Sequence, residues 1–234
     1  MIPWLSGGDP FPPVASALRD PNGLLAAGED LSPERLIDAY ARGIFPWFND
    51  GDPVLWWSPD PRMVLWLRDM HVSRSLRRTL RSGRYTVSSD RAFPDVMAGC
   101  AAPRDGDGDT WITGGMIEAY SNLARSGYAH SIEVWSDGEL AGGLYGVALG
   151  RMFFGESMFS RQRDASKVAL VALATQLSRW GFELMDCQMS TAHLRSLGAR
   201  EIPRAEFVRH VERLARLPAR LSPWVLDADL LANV

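Results

Sequence analysis

Cysteine is scarce in this chain of 234 residues, and lysine is almost absent. The only two cysteines, Cys100 and Cys187, provide neither a disulfide framework nor the Cys-x-x-Cys spacing of a structural metal site. The first residues lack the basic and apolar segments of a signal peptide, and no run approaches the ~20 apolar residues of a membrane-spanning helix. We therefore expect a cytoplasmic protein that makes no membrane contact.

Several catalytic signatures are also missing. The sequence contains no P-loop, dinucleotide-binding fingerprint, zinc-ligand spacing or nucleophile elbow, and its four histidines are scattered. We therefore expect neither a metal nor a cofactor.

Aromatic and apolar residues are plentiful, and the charge is unevenly distributed. The chain is 46% hydrophobic and 10% aromatic with a net charge of −3, which excludes a disordered protein. Residues 1–62 carry four Arg against nine acids, whereas the remaining 172 residues carry 21 basic and 19 acidic groups. All basic residues except Lys167 are arginines, which either codon bias or a nucleic-acid partner would explain.

Two regions differ in amino-acid composition and pattern, which predicts two domains, a small one over 1–62 and a larger one over 63–234. The first is rich in Pro, Gly and Trp and has one clear helix, capped by Ser32, started by Pro33 and ended by Gly43. The second alternates helical and strand patterns, with Asp137-Gly138 as a hairpin turn. The order of elements predicts an α+β fold with one mixed central sheet.

An arginine-rich segment lies between residues 71 and 84, where no acidic residue occurs. Its arginines recur at the i, i+3, i+4, i+7 spacing of one helix face: Arg74, Arg77, Arg78 and Arg81, with Arg84 beyond. Guanidinium groups bind phosphate with paired hydrogen bonds, so the segment favours a track for a nucleic-acid backbone. A merely solvated helix face has the same spacing, and both interpretations stay open.

Tryptophan is concentrated in one part of the chain, and the closely spaced prolines of residues 43–62 predict loops there rather than long regular elements. Four of the nine lie between residues 47 and 66, and Trp111 stands in an isolated Thr-Trp-Ile-Thr segment. Most aromatic side chains belong to a core, but an exposed one can stack on a base, which contributes about 1–3 kcal/mol per base.

Polar residues interrupt two apolar strands. Glu156 follows Gly155 in the segment 153–159, and a buried carboxylate needs a cation or hydrogen-bond donors. A structural salt bridge with an arginine and an anionic pocket for a cationic substrate both satisfy this need. In the segment 184–189, the two-residue period places Asp186 and Gln188 on one face, as a site or as a structural pair, and Cys187 on the other.

The segment 161–167 turns from a predicted strand into a predicted helix. Asp164 or Ser166 can cap that helix, and its first N–H groups together with Lys167 form a weak signal for an anion site.

Eight short segments match one known family: 21–26, 43–48, 56–62, 155–161, 186–188, 193–194, 196–199 and 201–204. From about residue 11 to residue 215, the chain resembles the bacterial leucyl/phenylalanyl-tRNA–protein transferases. The resemblance implies an N-acetyltransferase-like acyltransferase domain preceded by a small N-terminal α+β domain. It also implies that Leu or Phe moves from an aminoacyl-tRNA to the α-amine of proteins beginning with Arg or Lys, which marks them for N-end-rule degradation.

The resemblance assigns roles to the residues singled out above. Asp186 and Gln188 match the positions that assist attack of the amine, and Glu156 matches the acceptor site. Trp47 and Trp111 match positions near the 3′-terminal adenosine. The aminoacyl pocket is then expected from Phe153, Met158, Leu170, Leu173 and Met185. The tRNA phosphates are expected at Arg74, Arg77, Arg78, Arg81, Arg84, Arg161, Arg163 and Lys167.

The chemistry of this reaction limits its substrates and the cofactors that it needs. An aminoacyl ester is already activated, so transfer needs no ATP, and the turn at 161–167 has no glycine to cradle the pyrophosphate of coenzyme A. An apolar pocket discriminates one methylene by only about 1–3 kcal/mol, so methionyl-tRNA should be accepted as well and Val should be too small. We expect a monomer.

Two other functions fit parts of the sequence. A carbohydrate-active enzyme would use the tryptophans as platforms and Glu156 and Asp186 as paired carboxylates, but it leaves the arginine face unexplained. A non-catalytic tRNA-binding or single-strand-binding module leaves the carboxylates without a task.

Overall fold

A computed structural model describes residues 2–103, 110–220 and 222–231 and contains two β-sheets. The smaller sheet has the strand order β1-β2-β4-β3. Its elements are β1 (Trp4–Leu5), β2 (Leu24–Gly28), helix α1 (Pro33–Ala41), β3 (Phe45–Pro46) and β4 (Val54–Trp57).

The larger sheet has seven strands in the order β11-β5-β10-β9-β8-β7-β6. Its strands are β5 (Arg62–Trp66), β6 (Thr86–Ser89), β7 (Ala129–Ser136), β8 (Glu139–Leu149), β9 (Met152–Ser160), β10 (Leu184–Gln188) and β11 (Arg200–Ile202). The helices of this part are α2 (Arg74–Arg81), α3 (Phe93–Ala101), α4 (Gly114–Arg125), α5 (Ala165–Arg179), α6 (Ala192–Ser196) and α7 (Arg204–Leu214).

The predicted α+β class with a mixed central sheet is confirmed. Strands β9 and β10 are parallel, whereas their outer neighbours β8 and β5 are antiparallel to them. The expectation of loops between residues 43 and 62 was wrong, because β3 and β4 pair there in the smaller sheet. These strands have two and four residues, too few to display a period between the prolines. The domain boundary at residue 62 stays a prediction.

The predicted cap of α1 is confirmed, and α4 has a cap of the same kind. The Ser32 hydroxyl accepts a hydrogen bond from the N–H of Arg35 at the start of α1, and Thr113 accepts one from Met116 at the start of α4. Both satisfy a backbone donor that the helix itself cannot. The hairpin between β7 and β8 turns at Asp137 and Gly138, both with positive φ, as predicted.

The core lies on both faces of the larger sheet. Helices α1, α3, α4 and α7 contribute buried side chains to one cluster, and α2 and α5 contribute to the other. Neighbouring residues of β9 alternate between them, since Phe154 belongs to the first cluster and Phe153 to the second. Helix α5 is buried along most of its length and packs against β7, β8 and β9.

Strands β9 and β10 open a space between them. Their paired register ends at Phe154 and Asp186, while β9 continues to Ser160. The ladder is irregular on both sides, between Tyr145 and Gly146 on β8 and between Asp186 and Gln188 on β10. Where parallel strands part, side chains and ligands can enter the sheet.

Candidate functional site

A cavity of about 410 Å³ lies where β9 and β10 part. It is lined by strands β3, β8, β9 and β10, by helices α5 and α6, and by Trp111 from the segment before α4. All ten residues predicted for catalysis, acceptor binding, the aminoacyl pocket and adenosine stacking line it: Trp47, Trp111, Phe153, Glu156, Met158, Leu170, Leu173, Met185, Asp186 and Gln188. The structure therefore brings together side chains that are up to 141 positions apart in the sequence.

Asp186 is fully buried and is neutralised by Arg62. The guanidinium donates from Nε and Nη2 to the two carboxylate oxygens, at 2.8 and 2.6 Å, and from Nη1 to the carbonyl of Gly43 at 3.1 Å. It lies between the rings of Phe45 and Phe207, at 4.7 and 4.5 Å from their centroids. Removal of one partner from such a buried pair strongly destabilises the folded protein, because the other charge is left buried and unpaired.

Gln188 owes its position to Asp186. The Asp186 carboxylate accepts the backbone N–H of Gln188 at 2.9 Å, and Gln188 has a left-handed φ of 59°. Cys187 packs on the cluster that contains Met185, whereas Asp186 bonds Arg62 between Phe45 and Phe207, so the predicted opposite faces are confirmed, although both residues line the cavity. Burial raises the pKa of the Cys187 thiol, which keeps it protonated and unsuited to nucleophilic attack.

Glu156 is held by hydrogen-bond donors. Tyr40 Oη donates to Oε1 at 2.7 Å, Tyr120 Oη donates to Oε2 at 3.1 Å, and Gln188 Nε2 donates to Oε1 at 2.9 Å. The two tyrosine hydroxyls also bond to each other. These partners satisfy the carboxylate, and no arginine among the described residues forms the direct salt bridge considered from the sequence.

Opposing effects set the charge state of Glu156. Burial raises its pKa from 4.5 to about 7, although the hydrogen bonds from Tyr40 and Tyr120 lower it, Asp186 raises it and Arg62 lowers it. The pKa values of both tyrosines are raised well above 10, first by burial and then by Glu156, so their hydroxyls remain protonated donors.

The aromatic set divides between core and cavity. Trp56 is fully buried and contacts Phe11 edge-on, whereas Trp47 is 37% exposed and contacts Trp57 edge-on. Trp111 is partly buried beside the same cavity. Trp47 and Trp111 are therefore the tryptophans with a ring available at the cavity.

Helix α2 presents its arginines to solvent while Leu76 and Leu80 are buried. Arg74, Arg77, Arg78 and Arg81 line a second, surface depression. Arg84 donates to the side chain of Gln162, which joins this region to the turn before α5. Because α5 also lines the cavity, the arginine face and the cavity lie on connected elements.

Several polar groups of the turn before α5, which the sequence suggested as an anion site, are hydrogen-bonded to other protein groups. Asp164 stands at the N-cap but makes no side-chain capping bond, and it accepts from Lys167 Nζ at 2.9 Å. The hydroxyl of Ser160 accepts the N–H of Ser166. Arg161 donates to the carbonyl of Leu140, and Arg163 is exposed beside Asp164.

Sequence reasoning missed three residues of the site: Arg62, Tyr40 and Tyr120. The only signal for Arg62 was the buried carboxylate, which required a partner without identifying it. Tyr40 belongs to the apolar face of α1, and nothing in the helical period marks its hydroxyl as a ligand of Glu156.

The carbohydrate interpretation loses one of its two carboxylates. Asp186 is fully buried, and both of its oxygens are bound by Arg62, so it is not available as a general acid or base. Over the described residues, no group of three or more His, Cys, Asp or Glu could hold a metal ion. Within the same ranges, no helix has the length and apolarity needed to cross a membrane.

Comparison with known proteins gives consistent matches. The profile of the leucyl/phenylalanyl-tRNA protein transferase family matches residues 64–212, and that of its N-terminal domain matches residues 29–60. A leucyl/phenylalanyl-tRNA–protein transferase from Nitrosospira multiformis is 63% identical over 98% of this chain and 99% of its own length. One from Nitrosomonas europaea is 60% identical over 97% and 96%.

Solved structures give a fainter likeness. A GCN5-related N-acetyltransferase from Kribbella flavida is 11% identical, with a TM-score of 0.39, over 68% of this chain and 56% of that one.

Proposed function

This chain belongs to the leucyl/phenylalanyl-tRNA–protein transferase family, and from that premise we propose how its cavity performs the transfer. The enzyme takes Leu, Phe or Met from an aminoacyl-tRNA and attaches it to the α-amine of a protein that begins with Arg or Lys. The new N-terminal residue marks that protein for N-end-rule degradation. The observation that best supports this function is the cavity, which is lined both by apolar side chains and by Glu156, Asp186 and Gln188.

The donor amino acid occupies the apolar part of the cavity. Its walls come from Phe153, Met158, Leu170, Leu173 and Met185, and such a surface accepts the apolar side chains of Leu, Met and Phe alike. Trp47 and Trp111 stack on the terminal adenosine, so that the ester carbonyl faces Gln188. The cytoplasmic location and the monomeric state expected from the sequence stay predictions.

The reaction exchanges an ester for an amide. The neutral α-amine of the acceptor attacks the ester carbonyl, a C–N bond forms, and the C–O bond to the tRNA breaks. One proton leaves the nitrogen and one arrives on the departing 3′ oxygen, so that the transfer is balanced without a cofactor. Gln188 Nε2 donates to Glu156, which directs Gln188 Oε1 away from the carboxylate and toward the amine.

Glu156 gives the acceptor part of the cavity its negative character. A cationic residue at the acceptor N-terminus is attracted to a carboxylate that Arg62 does not neutralise directly. The arginines of α2, with Arg84, Arg161, Arg163 and Lys167, bind tRNA phosphates beyond the cavity.

Replacing Arg77 or Arg78 by Ala should weaken aminoacyl-tRNA binding and reduce its salt dependence. When one arginine–phosphate ion pair is removed, the slope of log K against log salt concentration should decrease in magnitude by about 1. Arg209→Ala is the matched control, because Arg209 is exposed on α7, which packs on the opposite face of the sheet. An unchanged slope in the α2 variants would assign these arginines to a solvated face.

Donor selectivity tests the apolar cavity directly. We expect methionyl-tRNA to support transfer alongside leucyl- and phenylalanyl-tRNA, and valyl-tRNA to be slower by about 10-fold or more, because Val leaves the cavity partly empty. Product formation with each charged tRNA and a peptide beginning with Arg measures this. Equal rates with Val and Leu would contradict the assignment of the aminoacyl pocket.

A further inference from the structure

The cavity contains a carboxyl group whose surroundings suit the gain of a proton. Tyr40, Tyr120 and Glu156 form a closed triangle of hydrogen bonds: hydroxyl to hydroxyl, and each hydroxyl to one carboxylate oxygen. While Glu156 is ionised, only the two hydroxyl protons are available for the three sides of this triangle. When Glu156 gains a proton, every side can have its own donor. The cluster therefore accommodates the protonated acid with a donor on every side, whereas the carboxylate leaves one side without a donor.

Gln188 lies directly beside this cluster. Its Nε2 donates to Glu156 Oε1 at 2.9 Å, so an amine bound at Gln188 Oε1 lies within the reach of the same carboxylate. A Gln amide is not basic enough to hold the proton that an attacking amine releases. Asp186 is not free to take it, since both of its oxygens are bound by Arg62.

Resting on the proposed function, we propose that Glu156 is the proton acceptor of the transfer and that Gln188 only positions the amine. As the C–N bond forms, the nitrogen passes one proton to Glu156. As the ester C–O bond breaks, Glu156 returns that proton to the 3′ oxygen of the tRNA. Atoms and charges then balance within the cavity, and Glu156 ends the cycle ionised.

The charged and titratable groups around Glu156 fit this task. Tyr40 faces it from α1, Tyr120 from α4 and Tyr145 from β8, and all three hydroxyls are held protonated by raised pKa values. Asp186 and Arg62 act on it from β10 and β5 with opposite signs. A pKa of about 7 makes Glu156 ionised enough to accept a proton at neutral pH and acidic enough to release it.

Glu156→Gln tests the proposal against a role in binding alone. We expect kcat to fall by about 10²-fold or more, because the amide cannot take the proton, and KM for the acceptor peptide to rise as well, because the negative charge that attracts its cationic residue is lost. A raised KM with unchanged kcat would instead make Glu156 a binding group for the cationic acceptor side chain.

Tyr40→Phe gives a second readout that survives if the first variant folds poorly. The tyrosine hydrogen bond favours the ionised carboxylate, so its removal should raise the pKa of Glu156. Because Glu156 acts ionised, activity is present above its pKa and declines below it. The acid limb of the kcat–pH profile should therefore move upward by about half a unit. Tyr128→Phe, at an exposed tyrosine outside the cluster, is the matched control and should leave the limb in place.

The outcomes separate this proposal from the one on which it rests. If the unaltered enzyme transfers Leu but Tyr40→Phe does not move the acid limb, Glu156 is not the proton acceptor. If the unaltered enzyme forms no peptide bond, the proposed function itself fails.

Discussion

Replacing Asp186 by Ala should reduce transfer strongly while leaving the affinity for aminoacyl-tRNA near that of the unaltered enzyme. The carboxylate holds the backbone of Gln188 in its left-handed conformation, and the Gln188 amide loses its direction without it. The same change leaves the buried Arg62 guanidinium without its partner, which should lower the free energy of unfolding by about 3–5 kcal/mol. Denaturant titration, tRNA binding and product formation measure the three effects.

A double variant separates stability from catalysis. In Arg62→Met/Asp186→Leu both charges are gone, and apolar side chains between Phe45 and Phe207 should restore most of the free energy of unfolding. Transfer should remain abolished, because nothing then orients Gln188. Recovery of activity together with stability would mean that Asp186 serves the fold alone.

Replacing Leu173 by Phe should block the donor more than it disturbs the fold. Leu173 lines the cavity from α5, so the larger ring can extend into the space that a substrate side chain would occupy. We expect kcat/KM to fall by about 10-fold or more, and to fall further for phenylalanyl-tRNA than for leucyl-tRNA, because Phe needs more of the cavity.

Leu177 provides the control for this change. It is one turn further along α5 and equally buried, but it does not line the cavity. Leu177→Phe should lower the melting temperature through overpacking and leave the ratio of Phe to Leu transfer unchanged. A ratio that changes equally in both variants would move the aminoacyl pocket away from α5.

The parts of the fold that depend on neighbouring residues were predictable. Capping by Ser32 and Thr113, and the Asp137-Gly138 turn, each involve backbone groups a few positions away. The small sheet was not predictable, because its strands are too short for a period and its pairings join distant segments.

The site residues that are polar within an apolar strand could be predicted from the sequence. Their partners from distant parts of the chain could not. Glu156, Asp186 and Gln188 stood out as polar residues in apolar strands, and the family resemblance gave them roles. Arg62, however, is separated from Asp186 by 124 positions, and Tyr40 from Glu156 by 116. Only the folded chain identifies such partners.

The backbone conformation of Gln188 in β10 also could not be predicted from the two-residue period of a strand. Gln188 adopts a positive φ because Asp186 binds its N–H, so the strand changes direction at the point where the cavity begins. The alternation of side chains along a strand cannot predict this conformation, because the Asp186 side chain imposes it on the backbone two residues later.

Transfer of labelled leucine tests the central claim most directly. The enzyme is incubated with leucyl-tRNA carrying radiolabelled Leu and with one of two peptides that differ only in beginning with Arg or with Ala. We predict label at the N-terminus of the Arg peptide and little in the Ala peptide. Bound tRNA with no label in either peptide would contradict the account and would describe a tRNA-binding module instead.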